Sequence, residues 1–193
     1  MRIQLATLFF IMSIVATFSS AATVSFSGTA RPPYAGFVAL GTFKPGFNPS
    51  SIYAIYHDPG GNLLGFYGPM VADGYFRPLA SGPSSGPNFS GVADTTSVAG
   101  QPVWLVLFDQ DPDSSLFSVI CSGTGAAWLA PAAAESSSLD CNSADVFVLG
   151  SGGSGSPLSL QILPFPDPSS GAVLLLAGMA ALLPGRPRRA PPV

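Results

Sequence analysis

The carboxylate run Asp109-Gln110-Asp111-Pro112-Asp113 is the densest set of hard oxygen donors in the chain. Acids at alternate positions are how calcium loops place ligands on one side of a turn. Beyond that the run departs from an EF-hand, because Ser114 stands where such a loop needs glycine and Ile120 where it needs a bidentate glutamate. Two readings stand: a solvated turn that ends the strongest apolar run, or a weak calcium site on Asp109, Asp111 and Asp113. Gly82-Pro83-Ser84-Ser85-Gly86 matches the G-x-S-x-G elbow of hydrolases. That elbow works only where a strand feeds a strained turn into a helix and a histidine base is at hand. No helical pattern follows it, and the sole histidine, His57, reads as a turn or surface residue, so the segment is expected to be a loop. Gly150-Ser151-Gly152-Gly153-Ser154-Gly155-Ser156 lacks the lysine and the following helix of a phosphate-binding loop, and reads as a flexible connector.

Cys121 and Cys141 are the only cysteines. In an oxidising compartment an even pair at this spacing reads as one disulfide, contributing roughly 3 kcal/mol by restricting the unfolded chain. The small and polar segment they enclose, Gly123 to Ser138, is expected to need that tether. One His, two Cys and a single Glu supply no metal or acid–base constellation, so neither a catalytic residue nor a cofactor is expected. Tyr53, Tyr56, Phe66, Tyr67, Tyr75 and Trp104 are candidates for a sugar-stacking face, since sugars present apolar CH faces to aromatic rings. The alternative is that they fill the core, which strand periodicity favours for Trp104.

The elements that must position these residues read as strands. With 22 Gly and 20 Pro in 193 residues, long helices are disfavoured. Hydrophobic content of 47 % against 9 % charged residues excludes a natively unfolded chain. Between residues 23 and 163, Arg31, Lys44 and Arg77 face nine acids, a net charge of −6 that offers nucleic acid no basic face. Short alternating or apolar stretches recur at Thr23–Ser27, Phe37–Phe43, Gly74–Phe76, Asn88–Val92, Leu116–Cys121, Ala126–Leu129, Asp145–Leu149 and Leu158–Leu163, each bounded by turn residues. Pro102–Phe108 is continuously apolar, as a central strand covered on both faces requires. Ser50–His57 fits either one or two helical turns or, through Asp58-Pro59-Gly60-Gly61, a hairpin to Leu63–Tyr67. The helical alternative is preferred. The expected fold is all-β, a single antiparallel β-sandwich or jelly-roll-like domain over residues 23–163.

That domain is flanked by two apolar ends. Met1-Arg2, an apolar run from Ile3 to Phe18, and Ser19-Ser20-Ala21-Ala22 meet the requirements of a secretory signal peptide over residues 1–22. Small residues at −3 and −1 start the mature chain at Ala22 or Thr23 and name signal peptidase and the secretion machinery as partners. The other end, 164–193, carries Pro166-Asp167-Pro168, an apolar run from Gly171 to Leu183, and Arg186, Arg188 and Arg189. Thirteen helical residues span about 20 Å, short of a ~30 Å hydrocarbon core. The arginines hold the end of the chain on the cytoplasmic side, so this run tethers the protein to the inner membrane in transit.

A signal peptide, a Ser/Gly-rich body and a tail of Pro-acidic-Pro box, short apolar helix and arginine cluster together resemble the PEP-CTERM proteins of Gram-negative environmental bacteria. Asp167 stands where that family usually has glutamate, and Pro184 and Pro187 interrupt the helix-to-arginine junction. The resemblance implies processing by an exosortase, a membrane-embedded cysteine-dependent protease or transpeptidase, and a link with extracellular polysaccharide or biofilm. Val38–Phe43 with the Phe47-Asn48-Pro49 turn, Gly100–Phe108, and Leu116-Phe117 are similar in type and order to segments of small exported members, with which no activity travels. The expectation is a non-enzymatic protein of the cell surface or extracellular matrix. The alternative is a carbohydrate- or matrix-binding sandwich.

Overall fold

The structure, a computed structural model, describes residues 21–56, 65–132 and 134–162, without the side chain of Tyr53. The expected signal segment up to residue 20, His57, and the whole tail from Pro166 through the arginines Arg186, Arg188 and Arg189 lie outside the described residues. Among the described residues no helix is long and apolar enough to cross a membrane.

In chain order the strands are β1 (Thr23–Thr29), β2 (Phe37–Phe43), β3 (Phe76–Pro83), β4 (Asn88–Asp94), β5 (Trp104–Phe108), β6 (Phe117–Ser122), β7 (Ser136–Asp140), β8 (Val146–Leu149), β9 (Ser151–Gly153), β10 (Ser156–Ser159) and β11 (Gln161–Ile162). Two short helices, α1 (Ile52–Tyr56) and α2 (Tyr67–Ala72), lie between β2 and β3. Asn48 caps the turn into α1, its side-chain oxygen accepting from the Ser50 N–H at 3.0 Å, so the helical alternative for this segment is the one observed.

Alternation sorts these strands into layers. β1 lies between β4, antiparallel, and β7, parallel, in a three-stranded sheet. The larger sheet runs β11-β6-β5-β2-β3, with β8 also pairing along β6. Val24, Phe26, Phe89 and Leu139 of the small sheet meet Leu40, Leu105, Leu107 and Val119 of the large one in a buried core. The opposite face of the large sheet, including Ala39, Val106, Phe108 and Ile120, is covered by Ile52, Phe66 and Met70 from the helical segment. Leu105 to Phe108 are therefore fully buried, as their unbroken apolar run requires. The fold is all-β and sandwich-like, with the helices as a third layer.

Three local expectations are corrected. Ala126–Trp128 is a 3-10 turn and not a strand, because winding there, with the Trp128 N–H bonded to the Gly125 carbonyl at 3.0 Å, turns the indole into the core at 1 % exposure. Gly74 closes α2 at φ +72°, so the strand expected from that glycine starts at Phe76 and runs on to Pro83. The Gly/Ser stretch after Leu149 is no flexible connector but the β9–β10 hairpin, whose turn the glycines permit. Beyond these corrections, Tyr67 opens α2, which sets aside the hairpin, the less favoured alternative for this region.

Candidate functional site

Asp109 follows β5 directly, and its Oδ1 is spent within its own loop. It accepts from the backbone N–H groups of Leu116 at 3.2 Å and Phe117 at 3.1 Å, with the buried Ser115 hydroxyl also against it. Asp111 closes an Asx turn, accepting from the Asp113 N–H at 3.0 Å. Among the described residues no group of three or more His, Cys, Asp or Glu is arranged to hold a metal ion. Asp109, Asp111 and Asp113 thus build the turn between β5 and β6, and the geometry carries no calcium site there.

The expected Cys121–Cys141 disulfide is not present: both residues are free thiols, and both are fully buried. Cys121 is fixed in β6 opposite Leu105, while Cys141 opens the 3-10 turn Cys141–Ser143 after β7. The segment between them needs no tether, since Trp128 anchors it in the core and β7 pairs with β1. Burial pushes both thiols well above their ordinary range, so they act as small core residues and not as nucleophiles. The G-x-S-x-G segment leads from the end of β3 into β4, with Gly86 at φ +78° and no helix behind it. It is a loop that carries the chain from the large sheet to the small one.

The aromatic candidates divide. Phe66 is buried under the large sheet, while Tyr56, Tyr67 and Tyr75 are half-buried. The Tyr56 hydroxyl donates to Asp73 Oδ2 at 3.0 Å, and Tyr67 packs edge-on against Phe108 at 5.7 Å between ring centroids. Trp104, for which strand periodicity favours the core, is half-buried at the start of β5 and packs against the core beneath the helices. It meets Phe43 edge-on at 5.3 Å, and Phe43 stacks on Phe47 at 5.5 Å. Trp104 and Phe47, with Pro45, Pro49 and Pro102, line an open recess of about 220 Å³ at one end of the sandwich.

A second recess, also of about 220 Å³, shares Phe43, Lys44 and Pro45 with the first. There Lys44 is joined by Arg77, Thr42, Ser97 and Gln101. Arg77 faces this recess because it pairs with Thr42 across the β2–β3 ladder, and Lys44 is set by its backbone N–H to the Tyr75 carbonyl at 2.8 Å. Sequence reasoning missed this pair: three cations among twelve charges in the body give no hint that two of them converge. A third recess, of about 500 Å³, is polar and lies over β1, β4 and Asn142. Apolar rings beside hydrogen-bonding and cationic side chains equip this end of the molecule for binding, without a paired nucleophile and base among the described residues. Comparison with protein-family models, with curated proteins and with solved structures found no match to this chain.

Proposed function

We propose that the chain is a non-enzymatic exported protein of the cell envelope or extracellular matrix. In this reading a signal peptide delivers a β-sandwich or jelly-roll-like domain, and a PEP-CTERM-like tail, with the box Pro166-Asp167-Pro168 and the cluster Arg186, Arg188 and Arg189, holds it at the inner membrane for an exosortase-like enzyme. The observation that supports it most lies at the cleavage window itself. Ala21 is exposed, whereas Ala22 is fully buried, donates its N–H to Thr96 Oγ1 at 2.9 Å and accepts from the Thr95 N–H at 2.8 Å. The change from an exposed Ala21 to a buried, hydrogen-bonded Ala22 thus falls at the cleavage window that the sequence sets. Intact-mass analysis of cell-surface protein tests the sorting step: a product lacking the arginine cluster is expected, and a species still ending in Val193 would make the tail an anchor only.

A second reading is favoured by the open recess at Trp104. A carbohydrate-binding role uses it as a stacking surface for a sugar ring, whose CH face replaces water on the indole and on Phe47. Glycan binding that is lost in Trp104→Ala, with the melting temperature followed in parallel, is the expected outcome.

A further inference from the structure

Resting on the sugar-stacking role just proposed, we infer that the sugar recognised is acidic: a uronate-type oligosaccharide whose ring lies on Trp104 and Phe47 and whose carboxylates meet Lys44 and Arg77. The two recesses share Phe43, Lys44 and Pro45 in their linings, so a chain of linked sugars reaching from one into the other meets the rings, then Lys44, then Arg77. Lys44 and Arg77 are both exposed, and none of the described residues lining their recess is acidic. The nearest carboxylate in sequence to Gly74, which lines the Lys44–Arg77 recess, is Asp73, and it already accepts the Tyr56 hydroxyl. Placing two of the body's three cations together, in a domain of net charge −6, makes this a local positive spot on an acidic protein. At physiological ionic strength the screening length is about 8 Å, so carboxylates on the far side of the domain are screened and the local pair decides which charge is accepted. A guanidinium holds a carboxylate in a two-pronged hydrogen-bonded pair, and Ser97 and Gln101 supply neutral polar groups for the sugar hydroxyls.

The test uses the full chain, an oligogalacturonate and an uncharged galactose oligomer of equal length, with inorganic phosphate as a third probe. Of the two tryptophans, Trp128 is 1 % exposed, so acrylamide quenching of fluorescence reports Trp104. Protection of Trp104 by the uronate oligomer but not by the neutral one is expected, weakening as salt rises. Lys44→Gln and Arg77→Gln are each expected to raise the dissociation constant about three- to tenfold, the range of a single partly solvated charge pair. Both side chains are exposed, so unchanged melting temperatures accompany that loss. Equal binding of the neutral oligomer, with both variants silent, would overturn the acidic-sugar assignment and leave the stacking role in place. Phosphate binding as tightly as the oligomer would also overturn it, reducing the site to a small-anion pocket. Absence of protection by either oligomer would remove both.

Discussion

Asn142 shows how much one side chain can join. Its Oδ1 accepts from the Thr29 N–H at 2.8 Å, and its Nδ2 donates to the carbonyls of Thr29 at 3.0 Å and Ser156 at 3.1 Å, so the end of β1 and the β9–β10 hairpin are held by a single amide. Replacing it by alanine strands a backbone N–H and two carbonyls at a largely buried site. Asn142→Ala is therefore expected to cost about 2–3 kcal/mol in urea unfolding. No sequence signal announces this residue, because its principal partner is 113 positions away. Asp145 is a second such residue, accepting from the Thr124 N–H at 2.8 Å and from its hydroxyl. These bonds favour the charged form and hold its carboxyl below the ordinary 3.8. The sign follows: the contribution is complete above the ordinary value and is lost as pH falls through the lowered one. Asp145→Asn should thus flatten the acid limb of a stability-versus-pH curve between wild type and variant, leaving the neutral-to-alkaline limbs parallel.

At the scale of elements, what the sequence revealed depended on whether the deciding contacts were local. β2 coincides with its predicted range, Phe37–Phe43, because alternation and flanking turn residues suffice to define it. β7 escaped notice, since Ser136-Ser137-Ser138-Leu139-Asp140 has one large apolar residue and becomes a strand only by pairing with β1. The 3-10 turn at Ala126–Trp128 escaped for a related reason. Its conformation serves the indole, whose Nε1–H reaches Ser143 Oγ at 3.1 Å and which packs so closely on Gly123 that a Cβ there would strike the ring. Gly123→Ala is expected to destabilise the fold by about 1–3 kcal/mol through overpacking, measured by thermal melting. In the β9–β10 turn Gly155 has φ +83° with open space around it, so Gly155→Ala isolates backbone strain and should cost about 1 kcal/mol. The candidate site followed the same division. Aromatic residues were legible as a set, but their assignment to core or surface needed the third layer, which buries Phe66 against the large sheet and leaves Trp104 half-buried beside an open recess.

For the molecule as a whole, two cores on either side of one sheet account for the free thiols. Cys121 and Cys141 sit in the core between the sheets, shielded from reagents by both. A maleimide is expected to leave both unmodified in the native protein and to label both in denaturant without prior reduction; failure of the second labelling would reveal a bond between them. If the chain is exported as proposed, the burial and hydrogen bonds of Ala22 make it the expected first residue of the mature protein, which N-terminal sequencing reads directly. The central position of β1 in the small sheet bears also on how the chain comes into being. β1 is made first, yet Ser27 pairs with Asp140, which follows 113 residues later. At about 5–20 residues per second, roughly 6 to 20 s pass before its last partner exists. Through that interval the first strand has no completed sheet to join, and the nascent chain stays threadable until almost the whole domain has been synthesised.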